Sequence, residues 1–189
     1  HPFVAIICGA KVADKFELLE SLLKLVDTIV IGGAMANTFL LAQGHDVGKS
    51  ICEPELKDRV AEFIVQAQER SVALVLPIDV VVAQSISKGE PTRKVAVSEI
   101  GSGDLALDLG PESAAAIEKV AGDAKTVFWN GTLGYTELDV YANASAAVAQ
   151  AIIQSGARSI IGVGDTAGFL DQYSNPAKFS FVSPGGGAA

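Results

Sequence analysis

Lys11 and Lys15 stand four residues apart where the apolar run "FVAIICG" (3–9) gives way to a helical pattern. A lysine at a helix N-terminus opposes the helix dipole, which is poor for stability but suits contact with a phosphate. The spacing alone leaves the other reading open, two solvated lysines with Lys15 paired to an acidic neighbour. Asp165 lies in the glycine-rich turn "GVGDTA" (162–167), between a strand-like and a helical stretch. Glycines at a helix start favour an anion, and a carboxylate among them would repel it. A bound Mg²⁺–phosphate resolves the conflict. A third turn, "SPGGGAA" (183–189), follows the strand-like run Phe179–Ser183. Such turns usually open a helix, and here the sequence stops. With the opening "HPF" in place of an initiator Met, this leads us to expect a piece cut from something larger.

Two familiar phosphate motifs fail on inspection. "GHDVGKS" (44–50) has three residues between its glycines where a P-loop needs four, and it follows a helical stretch rather than a strand. "GVGDTA" fits the dinucleotide fingerprint, but no strand-ending acidic residue follows about 20 positions later to hold a ribose. A nicotinamide-dependent oxidoreductase would rest on that fingerprint alone, and no histidine stands in place for its catalysis.

These turns need a frame, and the alternation of apolar runs supplies one. "FVAIICG" (3–9), "TIVIGG" (28–33), "VALVLP" (72–77), "TVFWNG" (126–131) and "SIIGVGD" (159–165) read as buried parallel strands. Between them "DKFELLESLLKLV", "ELKDRVAEFIVQAQER", "PESAAAIEKVAG" and "ANASAAVAQAIIQSG" carry apolar residues at helical spacing. The expected fold is α/β, a doubly wound, Rossmann-like, mostly parallel sheet with helices on both faces. The stretch 79–108 alternates around Gly89-Glu90-Pro91 and reads as an antiparallel hairpin added at one edge. No linker or repeat interrupts the chain, so residues 1–189 are expected to form one domain. In such sheets ligands bind beyond the C-terminal strand ends. The residues expected there are Gly9-Ala10-Lys11, Gly32-Gly33-Ala34, Pro77-Ile78-Asp79, Asn130-Gly131-Thr132, Gly164-Asp165-Thr166 and Gly185-Gly186-Gly187, a set that suits phosphate.

Composition narrows the partners. The chain has 189 residues, 49% of them hydrophobic and 19% charged, with a formal net charge of −8. That balance suits a folded core and argues against general affinity for nucleic acid or an anionic membrane. No apolar run reaches membrane-spanning length, and no signal peptide opens the chain. Cys8 and Cys52 lack metal or redox spacing and are expected to stay reduced in a cytoplasmic setting, and two histidines make a His-based zinc site a poor fit. Asn130-Gly-Thr132 and Asn143-Ala-Ser145 match the glycosylation pattern by chance, without a secretory signal.

In order, "PFVAIICGAKVADK" (2–15), "IGGAMANTFLLAQGHDVGKS" (31–50), "LPIDVVVA" (76–83), "LDLGPES" (107–113), "WNGTLG" (129–134), "GVGDTA" and "SPGGGAA" resemble the phosphoglycerate kinase family across essentially the whole chain. The likeness is to its C-terminal, nucleotide-binding half. It implies an enzyme that moves a phosphoryl group between 1,3-bisphosphoglycerate and MgADP, yielding 3-phosphoglycerate and MgATP, in the glycolytic cytoplasm and as a monomer. The triose would be bound by an N-terminal half absent from this sequence, so this half alone would bind nucleotide with little turnover. By resemblance Lys11 would stabilise the phosphoryl group in flight, Lys15 would contact nucleotide phosphates and Asp165 would hold Mg²⁺. Thr166 and the amides around Gly164 would contact phosphate. Gly9, Ala10, Gly32 and Gly33 would form the adenine slot. Asn130 and Gly134 would line the nucleotide site, Glu137 would bind the ribose, and Gly185, Gly186 and Gly187 would serve the transition state with backbone N–H groups.

Five positions depart from the family pattern: Cys8, Ala34 and Val163 stand where glycine is usual, Thr132 replaces a proline and Pro184 a threonine. The first three add side chains near the adenine slot or the phosphate loop, and Pro184 removes a hydroxyl and an N–H. A paralogue that has lost nucleotide binding and acts as a regulatory module is the alternative these positions raise.

Overall fold

The computed structural model of the chain describes residues 1–162 and 165–183. Its elements are β1 (Phe3–Cys8), α1 (Phe16–Leu22), β2 (Thr28–Gly32), α2 (Met35–Ala42), α3 (Lys57–Glu69), β3 (Ala73–Val75), β4 (Asp79–Ala83), β5 (Arg93–Ala96), β6 (Leu105–Leu109), α4 (Pro111–Asp123), β7 (Thr126–Asn130), α5 (Asn143–Ser155), β8 (Arg158–Ile161), α6 (Asp165–Tyr173) and β9 (Phe181–Val182).

Six strands pair in parallel in the order β3-β2-β1-β7-β8-β9. Because side chains alternate along a strand, β1 feeds two cores. Ala5 and Ile7 pack on one face with Phe16 and Leu19 of α1, Phe39 of α2 and Phe63 of α3. Val4, Ile6 and Cys8 pack on the other with Ile117 of α4, Val148 of α5 and Leu170 of α6. Each helix follows from its spacing. In α3, Val60, Phe63 and Ala67 recur on one side and are buried, while the charged residues face out. Phe63 meets Phe16 and Phe39 edge-on, with ring centroids 6.4 and 6.1 Å apart, tying α1, α2 and α3 into one layer. The expected doubly wound sheet with helices on both faces is present. Its strand order reverses between β1 and β7.

The antiparallel addition is a sheet of its own, in the order β5-β4-β6, and shares no ladder with the six-stranded one. Two local features separate it. Pro77 has no N–H with which to extend β3. Asp79 then turns its carboxylate onto the start of α4, where Oδ1 accepts from Ser113 N (2.7 Å) and Oδ2 from Glu112 N (3.0 Å). Ser113 reciprocates, its hydroxyl accepting from the Ile78 and Asp79 amides and donating to the Asp79 carbonyl. Asp79, expected at the strand-end rim, is thus a buried helix cap at the start of β4. At the far end of the small sheet, buried Asp104 accepts from Gln84 Nε2 (2.7 Å), Gly101 N (2.8 Å) and Arg93 Nη2 (2.7 Å).

Candidate nucleotide cleft

The strand order reverses between β1 and β7, the usual place for a ligand in such sheets. A cleft of about 260 Å³ opens there, between the two sheets. Gly9, Ala10, Gly33 and Gly131 border it from the six-stranded sheet, while Val80 and the strand Leu105–Leu109 border it from the small one. The walls are mainly apolar, and Ile51, Ile86 and Tyr135 are partly exposed at them.

Gly33 and Gly134 show why glycine borders this cleft. Gly33 has φ +68°, and a Cβ there would lie 2.8 Å from Gly9 N and 2.9 Å from Gly9 O. That close approach lets Gly9 O accept from Met35 N (2.8 Å) and Gly33 N donate to Leu133 O (3.2 Å). Gly134 approaches the small sheet so closely that a Cβ would collide with the Asp108 carboxylate and the Tyr141 carbonyl.

Of the residues expected from the sequence, Gly9, Ala10, Gly33, Gly134 and Glu137 border this one cleft, with Glu137 exposed at its mouth. Lys15 and Asn130 meet just beyond, Lys15 Nζ donating to Asn130 Oδ1 over 2.7 Å. Lys15 Cε lies 3.3 Å from where a Cβ of Gly9 would be, so the lysine stem crosses the β1 turn. Lys11 is exposed on the β1–α1 loop and does not line the cleft. Gly32 is buried beneath the floor, where a Cβ would lie 2.8 Å from Cys8 Sγ. Thr166 is fully buried, and its hydroxyl accepts from Gly131 N (2.7 Å), bracing the β7 turn against the start of α6. Gly164, Gly185, Gly186 and Gly187 lie outside the described residues, as do Val163, Pro184 and the Asp165 side chain. Among the described residues no group of three or more His, Cys, Asp or Glu side chains is placed to hold a metal ion.

Of the departures from the family pattern, Ala34 and Thr132 border the cleft, and Thr132 Oγ1 donates to Gly134 O (3.1 Å). Cys8 ends β1 fully buried, and that burial pushes its thiol far above the ordinary range. It is therefore no nucleophile. Several lining residues gave no chemical signal in the sequence, among them Asn37, Ile51 and Ile86. Asp108 is another. It is 3% exposed at the cleft wall, and burial raises its carboxyl to about 7, against hydrogen bonds from the Ala144 and Leu109 amides that lower it. It stands inside the quoted "LDLGPES", but an aspartate within an apolar strand does not announce which way it faces.

The family model described as phosphoglycerate kinase matches residues 1–189. A phosphoglycerate kinase of Herpetosiphon aurantiacus is 45% identical over 189 residues, covering 100% of this chain and 48% of that protein. One of Coxiella burnetii is 41% identical over 187 residues, covering 99% of this chain and 48% of its own. The solved structure of phosphoglycerate kinase from Coxiella burnetii superposes with a TM-score of 0.96 at 40% identity, over 98% of this chain and 48% of that one. That of Pyrococcus horikoshii gives 0.78 at 25% identity, over 98% and 47%. The chain spans about half the length of the curated relatives it matches.

Proposed function

The chain belongs to the phosphoglycerate kinase family, and on that premise we propose that residues 1–189 are a single nucleotide-binding domain, the half of the enzyme that takes MgADP and MgATP. One observation carries this reading. Gly9, Ala10, Gly33, Gly134 and Glu137, drawn from three separate stretches of sequence, border one mainly apolar cleft at the point of strand-order reversal. A flat apolar slot bounded by glycine backbone suits a purine base, and a carboxylate at its mouth suits ribose hydroxyls.

In the whole protein the reaction transfers the 1-phosphoryl group of 1,3-bisphosphoglycerate to ADP, releasing 3-phosphoglycerate. The acyl phosphate is already activated, so positioning and charge stabilisation are what the protein supplies. Lys15 would leave Asn130 for the nucleotide phosphates, and Lys11, free in solvent, would reach the transferring group. Thr166 and the amides around Gly164 would contact phosphate at the start of α6. Gly185, Gly186 and Gly187 would offer N–H groups to the transition state. Asp165 would hold Mg²⁺, which when bound would neutralise phosphate charge. The triose comes from the other half of the enzyme, whose closure excludes water, so this half alone turns over little or no substrate. The parent acts as a monomer in the cytoplasm.

The test is calorimetric titration of the chain with ADP, with and without Mg²⁺, and with NAD⁺. Saturable binding of MgADP, none of NAD⁺, and loss of the Mg²⁺ dependence in Asp165→Ala are expected. A folded chain that binds no nucleotide would overturn the proposal and leave a regulatory paralogue in its place.

A further inference from the structure

We infer that Asp108 is a positioning residue for the nucleotide, its ionised carboxylate holding the 131–142 segment in place over the cleft. This rests on the nucleotide reading above.

The carboxylate touches that segment once and the helix that follows it once. Gly134, in the segment, lies so close that a Cβ would strike Asp108, and just past its end Ala144 N, in the first turn of α5, donates to Asp108 Oδ2 over 3.3 Å. Oδ1 accepts from Leu109 N (2.9 Å). Glu137, at the cleft mouth, stands between these two anchor points. The position of Gly134 and Glu137 relative to β6 is therefore set by this buried side chain together with the backbone bond from Tyr135 N to Leu107 O (2.8 Å).

The anchor depends on its charge. α5 brings no charged residue. On β4, Asp79 has both oxygens on α4 amides. Lys94 of β5 pairs with Val81, which in turn pairs with Asp108, and its side chain is exposed. Glu137 and Asp139 on the segment itself and Glu112 at the start of α4 are exposed, and Asp139 accepts from the Tyr173 hydroxyl. Tyr141 packs nearby with a buried hydroxyl that has no hydrogen-bond partner among the described residues. Among the described residues no cation compensates Asp108, and burial raises it to about 7. Protonation converts one acceptor oxygen into a donor and weakens the grip on the backbone amides. Near neutrality the residue passes between holding the segment and releasing it.

MgADP is titrated into wild type and Asp108→Asn at about pH 8 and about pH 6, a range chosen to span the carboxyl's midpoint. Wild type is expected to lose about tenfold in affinity at the lower pH beyond any change in the variant, as for loss of one charge-assisted hydrogen bond. Asp108→Asn is expected to be about tenfold weaker already at the higher pH, for the same reason. ADP's own phosphate titrates identically in both proteins and cancels in the comparison. Identical pH profiles, or an Asn variant equal to wild type at the higher pH, overturn the inference. Should the variant not fold, carboxyl NMR of wild type decides: its Asp108 midpoint falls when MgADP is added, and an unmoved midpoint overturns the inference. A folded wild type that binds MgADP at neither pH overturns the nucleotide reading itself, and this inference with it.

Discussion

Asp79 and Asp108 stand at paired strands of one small sheet, both buried, and they meet opposite fates. Asp79 spends both oxygens on the amides opening α4. Asp108 accepts one short and one long bond and is pushed up to about 7 by burial. A carboxyl raised in the folded state makes folding take up a proton. Its stabilising contribution is full below the ordinary carboxylate range and is lost as pH rises through about 7. Asp108→Asn should therefore be more stable than wild type by about 2 kcal/mol more at about pH 8 than at about pH 5, measured by urea unfolding at both. The variant expected to weaken nucleotide binding is thus also expected to strengthen the fold at high pH. Neither aspartate's burial was legible in the sequence, since residue type and spacing do not state which face a strand turns inward. Lys15 and Asn130, 115 positions apart, were each expected near a phosphate, but their contact with each other was not legible.

At the scale of elements, periodicity carried most of the reading. α3 lies within the expected "ELKDRVAEFIVQAQER", and α5 stops where Gly156 takes φ +68° as its C-cap. The run "VALVLP" yields only the three residues of β3, because Pro77 cannot extend the ladder. The expected hairpin gained a third strand, β6, whose pairing with β4 depends on contacts between distant residues that no local pattern displays. α4 shows the same limit at its first turn. Its cap comes from Asp79, 33 and 34 positions before the two amides it satisfies. Asp79→Ala should destabilise the chain by about 1–3 kcal/mol, since it leaves the Glu112 and Ser113 amides unpaired at a partly buried helix end. Thermal and urea unfolding measure this, and a loss below about 0.5 kcal/mol would mean that water replaces the cap.

For the whole molecule, the doubly wound class was foreseeable, but the strand order with its reversal at β1 and β7 was not, and neither was the cleft, because one of its walls belongs to a sheet that appeared in the sequence only as an edge hairpin. The small sheet is pinned at its far end by Asp104, which gathers three donors while 2% exposed against an Arg93 that is 55% exposed. Asp104→Ala strands those donors and should speed amide hydrogen exchange in β4, β5 and β6 by about tenfold or more while β1, β2 and β7 keep their protection. Uniform loss of protection across both sheets would show that they open as one unit.

The two sheets share no ladder, yet Val80 and Leu107 on one side and Ala10 and Leu133 on the other border a common space. A flat guest held there is packed by both sheets at once, and so becomes mortar between two courses that no hydrogen-bonded strand joins. For such a seam, letting the guest go and letting the walls part are the same event seen from two sides.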